Sequence, residues 1–128
     1  MGYETKKVIV VDDSSVMRQI IKNNLKQLGF EQSNVVDAED GEQALKKINE
    51  DTIDLVISDW SMPKMTGIDL LIAIRADDAL KELPFLMVTS EADKEKIIEA
   101  VQAGVNQYIV KPFNTTQLEE KIKEIFPR

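Results

Sequence analysis

The apolar positions of this chain follow two alternating periods. Short runs of strand type lie at Val8–Val11, Val35–Ala38, Leu55–Ser58, Phe85–Thr89 and Tyr108–Val110. Three of them are nearly continuous apolar stretches, the pattern of parallel strands covered on both faces. Between them the spacing becomes helical. Val16, Met17, Ile20, Ile21, Leu25 and Leu28 form one stripe, which stops at Gly29, a good helix terminator. Ala44, Leu45 and Ile48 mark a second helix, with Asp40 as its N-cap and Gln43 three residues on. Ile68, Leu71, Ile72 and Ile74 mark a third. Ile97, Ile98, Ala100 and Val101 mark a fourth, ending before Gly104. Leu118, Ile122, Ile125 and Phe126 mark the last, where Asn114 and Gln117 repeat the capping-box spacing.

Five βα units in succession predict an α/β fold, a doubly wound parallel sheet with helices on both faces. Right-handed crossovers then bring every β→α connection to one edge of the sheet, where such folds bind ligands. That edge collects the chemistry. Asp12 and Asp13 follow the first run, Asp59 the third, Thr89 ends the fourth and Lys111 follows the fifth. Carboxylates converging there repel, by up to about 4 kcal/mol per pair at 4 Å and an effective dielectric near 20. A hard divalent cation would offset that repulsion, and Lys111 at the end of a buried strand needs an anionic partner.

Each residue also has a plainer reading. Asp12 and Asp13 could cap the first helix, although Ser14 and Ser15 can do so themselves. Asp59 could be a turn aspartate, Thr89 a β-branched strand residue, and Tyr108 half-buried core. Met62-Pro63 and Gly67 describe a tight loop after Asp59, because Pro restricts φ and Gly permits positive φ. Such a loop suits metal coordination through a backbone carbonyl.

Composition narrows the chemistry. Length predicts one domain over residues 1–128, and 43% hydrophobic with 30% charged residues is ordinary for a globular protein. No run of about 18 apolar residues and no secretory leader is present, so a cytoplasmic protein is expected. Without Cys there is no disulfide or thiol chemistry, and without His there is no Ser-His-Asp catalysis or His-based zinc site within the chain. The net charge of −7 argues against a nucleic-acid-binding surface.

The joint order of VVDDSS, SDWSMPKMTG, VTSE and YIVKPF resembles the receiver domain of two-component response regulators, and more closely its single-domain, CheY-like chemotaxis type. The resemblance runs from about Lys7 to Phe126, without departure at the central positions. It implies the flavodoxin-like strand order 2-1-3-4-5, which is taken from the family and not from the spacing. It further implies that Asp59 accepts a phosphoryl group from the phosphohistidine of a sensor histidine kinase. Mg²⁺ would be held by the Asp13 and Asp59 carboxylates and the Ser61 backbone carbonyl, with Asp12 acting through water. Lys111 and Thr89 would contact the phosphoryl oxygens, and Tyr108 would move inward as part of the switch. The helix from Lys94 to Ala103, the strand at Tyr108 and the last helix would then form a changed partner surface. Ser14, Ser61, Ser90 and Glu91 occupy positions beside the site that vary in this family; Ser61, Ser90 and Glu91 would tune dephosphorylation. The Lys111–Pro112 bond is often cis in the family.

The resemblance implies a monomeric switch without external substrate turnover, not an enzyme. Its expected partners are a chemotaxis-type kinase, an output protein such as the flagellar motor switch, and a phosphatase, with no nucleic acid and no membrane. A phosphate sink or a relay in another pathway is the alternative output. Two rivals use similar folds. A haloacid-dehalogenase-type phosphatase would want Asp-x-Asp after its first strand, where this chain has adjacent Asp12-Asp13. A flavodoxin-like electron carrier would want a hydroxyl- and glycine-rich loop there, which DDSSVMR supplies only in part.

Overall fold

The computed structural model describes residues 3–90 and 94–127. Its strands are β1 (Val8–Val11), β2 (Val35–Ala38), β3 (Leu55–Asp59), β4 (Phe85–Thr89) and β5 (Gln107–Val110). The helices are α1 (Ser15–Gln27), α2 (Gly41–Glu50), α3 (Gly67–Ala76), α4 (Lys94–Ala103) and α5 (Thr115–Ile125). All strand pairs are parallel, in the order β2-β1-β3-β4-β5. The predicted topology is therefore present. β3 runs one residue further than predicted, through Asp59, and β5 starts one residue earlier, at Gln107.

Alternation along the strands divides the interior into two layers. Ile9, Val11, Val56, Phe85 and Met87 face α2, α3 and α4. Val8, Val10, Leu55, Ile57, Leu86, Val88 and Ile109 face α1 and α5. Both faces being dry, β1, β3 and β4 are buried at every position, which explains why they stay apolar until the polar residues at the C-terminal ends of β3 and β4.

The helical stripes are narrower than predicted. In α1 only Ile21 and Leu25 are fully buried, whereas Val16 is 68% and Ile20 44% exposed. Ile21 and Leu25 are one turn apart on the inward line, with Met17 and Leu28 at its ends; Val16 and Ile20 stand about 100° round from that line. Ile72 on α3 and Ile98 and Val101 on α4 are likewise exposed, while Leu70 and Ala100 are buried.

The helix ends follow their local signals. Gly29 adopts φ 104°, as the α1 stop requires. Ser14, Asp40 and Asn114 cap α1, α2 and α5, the last with a complete capping box. The Lys111–Pro112 peptide is cis. No helix among the described residues is long and apolar enough to cross a membrane.

Candidate functional site

Strand register assembles the site. Val11 lies opposite Ser58 across β1 and β3, so the residues that follow, Asp12 and Asp59, reach the C-terminal edge side by side. On the next strands Asp59 is opposite Val88, and Thr89 opposite Val110, which places Lys111 one residue beyond. The Lys111 N–H donates to the Thr89 carbonyl at 2.8 Å, tying the two loops at their roots.

Ligand oxygens of Asp12, Asp13 and Asp59 lie within 4.8 Å of one another, with Asp12 and Asp59 buried and Asp13 exposed. Asp12 is not a helix cap, because Ser14 Oγ accepts the Met17 N–H at 3.1 Å and performs that role. Instead Asp12 Oδ1 accepts the Ser14 N–H at 2.9 Å, which bends the chain out of β1 and turns its second oxygen toward the site. Lys111 Nζ is 3.3 Å from Asp12 Oδ2 and 3.3 Å from Asp59 Oδ1. One ammonium thus holds two buried carboxylates, as the anionic-partner argument requires.

Asp59 Oδ1 also accepts the Trp60 N–H at 2.9 Å. Among the described residues no hydrogen bond reaches its Oδ2. Burial pushes the Asp59 pKa up, the Asp12 charge adds to that, and Lys111 with the Trp60 N–H opposes it. Hard oxygen donors that converge on one point, with the Asp59 anion disfavoured by burial and by Asp12, suit a small divalent cation.

Thr89 is buried and Tyr108 half-buried. With Trp60, Met87, Lys96, Ile97 and Ala100 they line one small cavity between the sheet and α4. Ser61 and Ser90 are exposed at the rim. Glu91 lies outside the described residues.

Three features escaped the sequence reading. Arg18 Nη1 donates to the Asp12 carbonyl at 2.7 Å while its Nε meets Asp37 Oδ2 at 2.9 Å, so α1 grips the β1 turn from behind. Its place one turn after the capping Ser14 is the only sequence hint. Lys96 lies over the Trp60 ring, 5.0 Å from its centre, which rests the first turn of α4 on the residue beside Asp59. Gly67 is not at positive φ; the left-handed residue of the loop is Lys64, at φ 67°. Gly67 is needed for space, since a Cβ there would lie 2.1 Å from the Asp59 carbonyl oxygen.

Sequence comparison gives the class to which this fold and acidic edge belong: residues 8–123 match the response regulator receiver domain, and the chain belongs to that family. It is 56% identical over 122 residues to the chemotaxis protein CheY of Pseudomonas aeruginosa, covering 95% of this chain and 97% of that one. Among solved structures, the Vibrio cholerae chemotaxis protein CheY4 superposes with a TM-score of 0.86 at 37% identity, covering 94% of this chain and 98% of that one. The Thermotoga maritima response regulator TrrA, solved in complex with Mg²⁺–BeF, has a TM-score of 0.83 at 33% identity, covering 95% of this chain and all of that one (100%). The chain is thus a receiver domain of the chemotaxis, CheY type, a signalling switch rather than an enzyme in the usual sense.

Proposed function

We propose that this receiver takes a phosphoryl group onto Asp59 from the phosphohistidine of a partner kinase. The Asp59 carboxylate attacks phosphorus, the N–P bond to the kinase imidazole breaks, and an acyl phosphate forms while the histidine is regained. The observation that carries this reading is Lys111 held 3.3 Å from both Asp12 and Asp59, a cation stationed where phosphoryl charge would arrive. With no His in this chain, a phosphohistidine donor is external to it.

Asp13, Asp59 and the Ser61 carbonyl would hold Mg²⁺ directly and Asp12 through water, a small protein ligand set of the kind Mg²⁺ accepts. Held there, the cation would supply positive charge against the phosphoryl oxygens. The likeness to TrrA, solved with Mg²⁺–BeF, supports this assignment. Lys111 supplies the second positive contact. Ser61 and Ser90 are small and exposed, which leaves room for the water or phosphatase that would end the signal; Glu91 would add a negative charge beside that water.

Output is conformational. Thr89 and Lys111 are drawn to the new oxygens, and the cavity that Thr89 lines with Tyr108 accepts the tyrosine ring as the Thr89 side chain leaves it. A local charge event thereby biases α4, β5 and α5 between two arrangements. That surface carries exposed Ile98 and Val101, apolar area suited to a partner. Similarity to CheY points to a cytoplasmic, monomeric protein in chemotaxis, with a flagellar motor switch as listener. A phosphate sink or relay shares the same chemistry and differs only in what this surface meets.

Beryllofluoride with Mg²⁺ tests the site. Titration should saturate the wild-type protein and give no binding to Asp59→Asn; binding by that variant would refute the assignment.

A further inference from the structure

Resting on the reading of Asp12, Asp13, Asp59 and the Ser61 carbonyl as a Mg²⁺ site, we propose that Gly41 is the positioning residue that sets the site's preference for Mg²⁺ over larger cations. Gly41 is the first residue of α2 and belongs to a different βα unit from any of those ligands.

The loop from Ser61 to Thr66 has to present a main-chain carbonyl at a set depth. It is anchored from within by buried Met62, and at its base by the Gly67 N–H, which donates to the Trp60 carbonyl at 2.8 Å. Its crest is tightly folded: the Met65 N–H donates to the Pro63 carbonyl at 2.7 Å, and Lys64 between them is left-handed. Its outer side rests on the start of α2. There the Gly41 N–H donates to the Met65 carbonyl at 3.3 Å. Asp40 secures the same junction from both sides, its Oδ1 capping the Gln43 N–H at 2.8 Å and its Oδ2 facing Lys64 Nζ at 3.8 Å.

Only glycine permits this seat. A Cβ on residue 41 would lie 2.7 Å from Met65 Cβ and Cγ and 2.8 Å from the Met65 carbonyl oxygen, whereas ordinary contact begins at 3.4 Å. Two of those atoms, Cβ and the carbonyl oxygen, belong to or adjoin the backbone and cannot swing aside, so the loop and the start of α2 would have to separate by several tenths of an ångström. That displacement matches the difference between the two cations: Mg²⁺ takes oxygens at about 2.0–2.1 Å in near-ideal octahedral geometry, and Ca²⁺ at about 2.3–2.6 Å with looser geometry. A loop seated hard against α2 keeps the Ser61 carbonyl from following a larger ion. A loop pushed off that seat loses more affinity for the demanding ion than for the tolerant one.

The test is a pair of titrations, MgCl₂ and CaCl₂, into wild-type and Gly41→Ala protein. Binding is read from calorimetry and from fluorescence of Trp60, the only tryptophan in the chain and the neighbour of Asp59. The ratio of Mg²⁺ to Ca²⁺ affinity should fall about tenfold in Gly41→Ala, the scale on which residues behind a ligand act on metal affinity. A merely structural role lowers both affinities together, and an unchanged ratio overturns the proposal. Lys64→Gly loosens the same loop without a clash, because glycine occupies φ 67° freely and the Lys64–Asp40 contact is lost; it should lower the ratio in the same direction but by less than Gly41→Ala, and it decides the matter should Gly41→Ala fail to fold. No response of the wild-type protein to either cation would overturn the metal reading itself, and this inference with it.

Discussion

The first residue of α3, Gly67, backs directly onto Asp59: a Cβ at Gly67 would stand 2.1 Å from the Asp59 carbonyl oxygen and 3.0 Å from its carbonyl carbon. The Asp59 carbonyl also accepts the Ser58 hydroxyl at 2.8 Å, so it is held on two sides. Gly67→Ala must therefore displace either the helix or the proposed phospho-acceptor. Overpacking on this scale should cost about 3 kcal/mol of stability in urea denaturation. A loss within about 0.5 kcal/mol, the range of neutral surface changes, would mean that the helix stands further off than the structure places it.

Asp59 makes the metal-free fold pH-dependent in a stated direction. Its pKa is raised by burial and by Asp12, so its ionised form is less favourable in the fold than in the unfolded chain. The stabilising contribution of the protonated group is complete below the unfolded carboxylate range and is lost as pH rises through the folded pKa. At neutral pH without metal, Asp59→Asn should melt at a higher temperature than wild type, and the gap should close on acidification. Mg²⁺ should then raise the melting temperature of the wild type more than that of the variant. Melting curves of both proteins from pH 4 to 8, with and without Mg²⁺, check each part.

Lys111 separates transfer from metal binding. Lys111→Met removes the cation facing Asp12 and Asp59 and leaves every proposed metal ligand in place. Phosphorylation from a small-molecule donor should slow by about 10²-fold, as when one preorganised charge-stabilising donor is lost. Mg²⁺ affinity should hold or rise, because a competing positive charge has gone. Weaker Mg²⁺ binding would show that Lys111 acts by shaping the carboxylates rather than by meeting the phosphoryl group.

The strands were legible because a parallel sheet covered on both faces needs unbroken apolar runs, and few other structures do; hence Val8–Val11 and Phe85–Thr89 are as predicted. The site residues were legible because the fold sends every β→α turn to one edge, so Asp12, Asp59 and Lys111 meet despite their separation along the chain. Periodicity overstated the helices. It cannot distinguish Ile20, exposed, from Ile21, buried, when both are apolar and only the facing sheet decides. Contacts between units left no local mark. The grip of Arg18 on the Asp12 carbonyl, the Lys96–Trp60 contact and the seat of Gly41 on Met65 each depend on which elements lie side by side. Gly67 was noticed for the wrong reason, since a glycine needed for space and one needed for positive φ look alike in sequence.

The central claim is that Asp59 takes the phosphoryl group. Incubation with acetyl phosphate and Mg²⁺, followed by intact-mass spectrometry, measures this directly. The account predicts one phosphoryl increment on the wild-type protein, absent without Mg²⁺ and absent from Asp59→Asn. Normal labelling of Asp59→Asn would contradict it.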